Sequence, residues 1–250
     1  MHTSLKKVST KATGGITQEE AETELSLFKE DLFKLQNLLF AQQKHSILII
    51  LQGMDASGKD GTIRHVFSSM NPMGVNVKAF KAPTEEELTH DFLWRIHPHA
   101  PARGMISVFN RSHYEDILVP TVHKLRDSKI LERRYDIINS FEKSLTDSGT
   151  IILKFFLHLS KEEQKKRIKE RIYLPRKMWK YDPADKREAT KWSSYMKTYE
   201  KIFDRCSEAA PWQIIPADHK WYRNYLVAKN ITDTMRSLKM KYPGSHAVKA

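Results

Sequence analysis

The segment "GMDASGK", Gly53 to Lys59, has the spacing G-x-x-x-x-G-K and follows the apolar run "LIILQ". Glycines let such a backbone turn sharply. Consecutive N–H groups from Gly53 through Ala56, Ser57, Gly58, Lys59, Asp60 and Gly61 can then face a chain of phosphates. A helix that starts near Lys59 adds its positive dipole end, and Lys59 brings a cation to the phosphates nearest the reaction. The strand before and the helix after are the context that such a loop requires.

Two aspartates set this loop apart. The residue after the lysine usually gives a hydroxyl to Mg²⁺, but here it is Asp60, which has no hydroxyl. Asp60 is therefore expected to anchor the helix start through backbone N–H groups. Asp55 lies inside the loop, where bound phosphates would repel a carboxylate unless a metal or a proton intervened. It either holds Mg²⁺, orients an attacking phosphate or caps the loop.

A second constellation is "MISVFNRSHYEDILVPTVH". Loops of this type usually find an acidic residue at the end of a neighbouring strand, and this strand ends in Asn110. The nearest carboxylates are Glu115 and Asp116. Arg111 could clamp a phosphate with its planar fork of donors. His113 either contributes or sits on the outside of a turn. A third constellation is basic, "QKKRIKERIYLPRKMWKYDPADKREATKW" from Gln164 to Trp192. Arg167 and Arg171, four apart, share a helix face and could both point at phosphates. The run breaks at Leu174-Pro175 and again at Asp182-Pro183, as a hinged lid would. Trp179 is expected to pack that lid. Lys78, Lys81, Arg95 and Arg103 could extend the basic track or line a nucleotide pocket.

The elements that must hold these groups are legible in the apolar pattern. Strands are expected around Leu48, from Val75 ("VNVKAF"), from Met105 ("MISVF"), from Thr150 ("TIILKFFLHL") and from Trp212 ("WQIIPA"). Helical patterns separate them, two opened by capping boxes, Thr84 with Glu87 and Ser160 with Glu163. Near-continuous apolar strands alternating with helices predict a three-layer α/β fold around a parallel sheet. A helix from Gln18 to Lys44 carries Leu25, Phe28, Leu32, Leu35 and Leu39. That stripe covers the protein's own core or forms a seam between subunits. Residues 1–17, basic and rich in Ser, Thr and Gly, are expected to be disordered. Residues 1–250 are read as one domain containing the basic lid, 164–192.

Composition narrows the partners. With 40% hydrophobic and 29% charged residues the chain reads as an ordinary globular protein. No apolar run approaches the roughly 18 to 20 residues that span a bilayer, and no apolar signal core opens the chain. A single cysteine, Cys206, allows no internal disulfide and fits a reducing cytoplasm. The net charge of +12 fits nucleic acid, an anionic surface or a polyanionic substrate. Its concentration in a segment with few aromatic platforms argues for a flexible polyanion over nucleic acid.

Five motifs in order, "GMDASGKDG", "NPMGVNVKAFKAP", "FNRSHYED", "KFFLHLSKEEQKKR" and "WKYDPADKREATKW", resemble the second family of polyphosphate kinases, from about Thr17 to Pro243. The resemblance implies a P-loop kinase core of the thymidylate-kinase type, Mg²⁺ dependence with Mn²⁺ as a substitute, and a mobile helical lid. Members acting on nucleoside diphosphates show an Asp before the Arg-Ser pair and an Asn after the Tyr; here Asn110 and Glu115 stand there. That exchange resembles the third class, which phosphorylates both AMP and ADP from polyphosphate. On this reading Asp55 and Glu115, with Asn110, make the metal site, and Asp55, Lys59, Arg111, Glu115 and Arg171 do the chemistry. The loop residues, Lys81 of "FKAP", Arg167, Lys177 and Lys180 would bind phosphates. Partners implied are inorganic polyphosphate and adenine or guanine nucleotides, with a homodimer or homotetramer and neither nucleic acid nor membrane. An ATP-dependent nucleoside monophosphate kinase and a non-catalytic polyanion binder are the alternatives.

Overall fold

A computed structural model describes residues 4–244. In chain order its elements are α1 (Gln18–Gln42), β1 (Ser46–Gln52), α2 (Lys59–Val66), β2 (Val75–Ala79), α3 (Glu85–Thr89), β3 (Ile106–Asn110), α4 (Glu115–Val122) and α5 (Ser128–Asp147). There follow β4 (Thr150–His158), α6 (Lys161–Tyr173), α7 (Pro175–Met178), α8 (Pro183–Thr190), α9 (Trp192–Arg205), β5 (Trp212–Pro216) and α10 (Lys220–Ser237). The five strands form one sheet, in the order β2-β3-β1-β4-β5, and every pairing is parallel. All five expected strands are present and the expected three-layer α/β architecture holds.

β1 is buried at all seven positions because both of its faces are covered. Ile47, Ile49 and Leu51 point into a core shared with Phe28, Leu32 and Leu39 of α1 and with Val227 and Ile231 of α10. Leu48 and Ile50 point the other way, against Ile138 and Phe141 of α5 and Tyr199 and Ile202 of α9. Side chains alternate along the strand, so one strand seeds both cores. The apolar stripe of α1 therefore covers the protein's own core, with Leu25 and Leu35 packed at its edge. The helix ends at Gln42, where Gln43 takes a left-handed conformation, two residues before the expected end.

Residues 4–17 are ordered against the body, contrary to the disorder expected from their composition; residues 1–3 lie outside the described residues. Leu5 is 3% exposed. Its N–H donates to Glu200 at 2.8 Å, its carbonyl lies 3.2 Å from His158 Nε2, and Thr10 donates to Asp218 at 2.9 Å. One anchored leucine and a few long-range hydrogen bonds outweigh a polar composition. Thr17 then opens α1 with a full capping box to Glu20. The box at Thr84 and Glu87 forms as expected. At α6 only half of it does: Ser160 Oγ accepts from the Glu163 N–H, but the Glu163 carboxylate turns to Arg167 and the Ser160 N–H donates to Asp218. Among the described residues no helix is long and apolar enough to cross a membrane.

Candidate active site

The loop after β1 lies at the centre of the sheet, where β1 is flanked by β3 and β4, outside the carboxyl ends of the strands. Gly53 turns the chain at φ 148°, and a Cβ there would fall 2.8 Å from the Leu157 carbonyl oxygen. Gly58, at φ 104°, precedes α2 and leaves its first N–H groups without a side-chain cap. Such uncapped N–H groups are available as donors for an anion. Lys59 folds back over its own loop. Its Nζ donates to the carbonyl oxygens of Gly53 at 2.7 Å and Met54 at 3.2 Å. Burial, with the Arg111 charge second, pushes its ammonium down to about 8 against the pull of Asp55, Glu115 and Asp60.

Strand register delivers the second constellation to the first. Asn110 pairs with Leu51, and the Arg111 N–H donates to the Leu51 carbonyl oxygen. Arg111 then turns at φ 62° and pairs with Asp55 at 2.6 Å. Burial pushes the Asp55 carboxyl up, but Lys59 and Arg111 outweigh it and hold the group below its usual range. Glu115 opens α4 beside them. Burial, with Asp55 adding, raises its carboxyl despite Arg111 and Lys59. Asp116 next to it is pushed up to about 6, again chiefly by burial, with Arg134 at 3.6 Å opposing.

Two acidic oxygens repelling each other beside Lys59 and Arg111 are a fitting donor set for a hard divalent cation that also uses substrate phosphates and water. Among the described residues no three His, Cys, Asp or Glu side chains converge into an all-protein metal cage. Asp60 does not anchor the helix start as expected. It accepts from Asn110 Nδ2 at 2.7 Å and from Lys180 Nζ at 3.3 Å, which ties β3 and the basic segment to α2. This also gives the amide of Asn110 a role outside the carboxylate pair.

The "RSHYE" turn is locked from below by a network that sequence reasoning did not identify. Ser112 Oγ accepts from Gln52 and from the Tyr114 N–H. His113 is fully buried, not on the outside of a turn, with Nε2 3.3 Å from Glu142 and its ring against Tyr114 and Phe141. The Tyr114 hydroxyl donates to Glu142 at 2.7 Å. Lys154 spends its three protons on Glu142 at 2.6 Å, the Cys206 carbonyl oxygen at 2.8 Å and Tyr114 Oη at 3.0 Å. A lysine inside the apolar strand "TIILKFFLHL" was the visible signal. Cys206 itself is buried at the end of α9, and burial pushes its thiol up to about 12, so it is not a reactive thiol.

The basic residues part company. Arg171 pairs with Asp185 of α8 at 2.6 Å. Lys177 pairs with Glu170, Lys180 reaches Asp60, and the Lys81 carbonyl oxygen accepts from Arg95 at 2.8 Å. Arg167 does not share their setting. Only 6% exposed, it donates to the carbonyl oxygens of Ala56, Ser57, Ala217 and Asp218 and pairs with Glu163, so its fork is filled by the protein. It braces the loop from behind, where sequence reasoning placed it on phosphates. Trp179 is 77% exposed and does not pack against the body; Lys180 Nζ lies 4.8 Å above its ring. Arg95 is buried and paired with Glu87. Two further braces carry no sequence signal: Gln164 donates to the Asp55 carbonyl oxygen at 3.0 Å, and Arg223 to that of Ser57 at 3.1 Å.

A cavity of about 580 Å³ opens from Gly53 and Asp55 past Arg111 and Glu115 to Phe80, Lys81 and Leu118. That is nucleotide-sized space. Helix α8 closes one side, held to α4 by Glu188, which lies 2.8 Å from His123 Nε2 and accepts from the Tyr195 hydroxyl at 2.6 Å. A lining that joins the loop, the Asp55, Arg111 and Glu115 cluster and apolar side chains such as Phe80, Phe92 and Leu118 suits phosphoryl transfer to a bound nucleotide.

A family model described as Polyphosphate kinase 2 (PPK2) matches residues 15–243. The AMP/ADP-polyphosphate phosphotransferase of Meiothermus ruber is 48% identical over 220 residues, covering 88% of this chain and 82% of that protein. The ADP-polyphosphate phosphotransferase of Rhodopseudomonas palustris is 47% identical over 227 residues, covering 86% and 78%. Among solved structures, polyphosphate kinase 2 from Arthrobacter aurescens TC1 superposes with a TM-score of 0.95 at 43% identity, covering 98% of this chain and 89% of that one.

Proposed function

The chain belongs to the polyphosphate kinase 2 family, and from that premise we propose that it moves the terminal phosphoryl group of inorganic polyphosphate reversibly onto AMP and onto ADP. The observation that carries the proposal is that Asp55, Arg111 and Glu115 line a nucleotide-sized cavity together with the loop residues Gly53 and Met54, behind which Lys59 is held. The names of the relatives from Meiothermus ruber and Rhodopseudomonas palustris support the substrate class. Acceptance of AMP as well as ADP rests on Asn110 and Glu115 standing where diphosphate-specific members carry Asp and Asn.

An oxygen of the acceptor's terminal phosphate attacks the end phosphorus of polyphosphate in line. The new P–O bond forms as the terminal anhydride P–O bond breaks, and the shortened polyphosphate leaves with the electron pair on its oxygen. The acceptor is already anionic at neutral pH, so positioning and charge neutralisation do most of the work. Lys59, Arg111 and Arg171 neutralise the transferring group, while the N–H groups of the loop and of Asp60 and Gly61 hold the donor chain. Lys81, Lys177 and Lys180 bind its neighbouring phosphates, and Arg167 keeps the loop in shape. Asp55 and Glu115 would hold a divalent cation, which would supply positive charge beside the reacting phosphates; Mg²⁺ is the ion we propose, with Mn²⁺ able to replace it. Residues 164–192 act as a lid whose closure excludes water, the competing acceptor. The protein is proposed to work in the cytoplasm as one catalytic domain per chain, assembled as a homodimer or homotetramer.

The test is turnover of ADP with polyphosphate, with Lys59→Ala in parallel. Loss of one preorganised donor worth about 3 kcal/mol predicts a rate lower by roughly 10² to 10³. Near-normal turnover by folded Lys59→Ala would remove the loop from the mechanism.

A further inference from the structure

Two guanidiniums meet one carbonyl oxygen behind the loop. Arg167 of α6 and Arg223 of α10 both donate to Ser57, at 3.2 and 3.1 Å, and neither lines the cavity. Their charges are treated differently. Arg167 has a carboxylate partner, Glu163, at 2.9 Å. Arg223 is 2% exposed, and its Nε and Nη2 both donate to the neutral amide oxygen of Asn224, at 3.2 and 2.8 Å. Among the described residues no carboxylate pairs with it. A Cβ on Gly58 would fall 1.9 Å from Arg223 Nη1, and one on Gly61 would fall 3.3 Å from Nη2. The guanidinium therefore lies directly beneath the turn that presents the first N–H groups of α2.

A buried cation without a counterion is costly, and most proteins pair it. The cost falls on the ligand-free protein and is relieved when an anion binds nearby, so the unpaired charge converts into affinity for that anion. Its field already reaches the outer face of α2, where burial and the charges of Arg64, Arg223 and Lys29 hold exposed His65 below its ordinary value. We propose that Arg223 is a positioning residue for the donor phosphate chain, attracting it through the loop without touching it, and that a neutral residue at Asn224 keeps its charge uncompensated. The inference rests on polyphosphate being the donor.

Asn224→Asp tests it, because the change is isosteric and turns the amide that cradles Arg223 into a counterion. The expected result has opposite signs in two measurements. The ligand-free melting temperature rises, while KM for polyphosphate increases about tenfold, as expected for cancelling one charge at short range in a low-dielectric setting. The melting shift produced by tripolyphosphate shrinks in step, and kcat changes less than KM. Arg223→Lys, which keeps the charge, retains a KM close to that of the unaltered enzyme.

An unchanged KM and an unchanged tripolyphosphate shift in Asn224→Asp would overturn the inference. So would an equal rise in KM in Arg223→Lys, because fork geometry and not charge would then be the cause. If Asn224→Asp does not fold, Arg223→Gln against Arg223→Lys decides by the same two readings. The unaltered enzyme's turnover on polyphosphate is a separate reading: its failure would reject the proposed donor, while the tripolyphosphate shifts would still judge Arg223.

Discussion

At the scale of single residues, the loop and its partners divide into groups aimed at the cavity and groups that hold those in place. Glu115 and Asp116 are neighbours in sequence with different surroundings, Glu115 beside Asp55, Arg111 and Lys59, Asp116 beside Arg134. Glu115→Gln is therefore expected to raise the Mg²⁺ concentration needed for half-maximal activity at least tenfold, roughly the cost of losing a ligand or its support. Asp116→Asn should move it little. A metal titration of both variants checks this, and equal responses would reject Glu115 as the ligand. That Lys59, Asp55 and Arg111 come together with a carboxylate after Tyr114 was legible in the sequence, because the loop spacing fixes its lysine and the end of the neighbouring strand brings Arg111, Glu115 and Asp116 to the same edge of the sheet; the choice of Glu115 came from the family resemblance. Arg167 was misplaced for a physical reason. Arg167 and Arg171 do share a helix face, but α6 lies close enough to the loop for the first to be consumed by main-chain carbonyl oxygens, while the second reaches α8. Helical spacing gives the face and not the depth.

At the scale of elements, β3 and α4 are joined by a turn whose every side chain is used. Ser112, His113 and Tyr114 reach Gln52, Glu142 and Lys154, so β1, α5 and β4 jointly fix where Arg111 and Glu115 stand. Lys154 and Glu142 are 0% and 1% exposed, and breaking such a pair leaves a bare buried charge. Lys154→Met should cost about 3 to 5 kcal/mol, whereas the double change Lys154→Met with Glu142→Leu should cost much less. Urea denaturation of both single variants and the double variant closes the cycle; a double loss equal to the sum of the two single losses would mean that the pair is not coupled. The pattern of apolar residues was enough to place all five strands, since each is buried on two faces or lies beside one that is. It could not show that Lys154 and Glu142 meet, because that depends on how α5 turns its faces as it packs on β4, the strand that follows it. Helix α6 ends at Tyr173, just before Leu174-Pro175, and α8 starts at Pro183, as the two breaks suggested, but Pro175 also opens the short α7, which the pattern did not suggest.

At the scale of the whole molecule, the N-terminal segment ties distant parts together. Leu5 touches α9 through Glu200 and β4 through His158, and Thr10 reaches the Asp218 that also caps Ser160 and supports Arg167. Composition suggested disorder here because the contacts come from a few residues and not from a pattern. Burial holds the His158 imidazole below its ordinary value of 6.5, against its backbone acceptors and Asp218 and Glu200. Below that value the unfolded chain takes up a proton that the folded protein resists, so this residue's contribution to stability is complete above about pH 6.5 and is lost as pH falls through its folded value. His158→Gln should therefore lose less melting temperature between pH 8 and pH 5.5 than the unaltered protein does, when both are followed by thermal denaturation; parallel losses would place the acid sensitivity elsewhere. Transfer from polyphosphate to both nucleotides, on which the roles of all these residues depend, can be read by nucleotide product analysis after incubation with long-chain polyphosphate and Mg²⁺. AMP goes in one tube and ADP in another, with a control that excludes disproportionation of ADP. ADP and then ATP are expected from the AMP tube, and ATP from the ADP tube. No nucleotide product in either tube, with turnover appearing only when ATP replaces polyphosphate as donor, would refute polyphosphate-driven transfer.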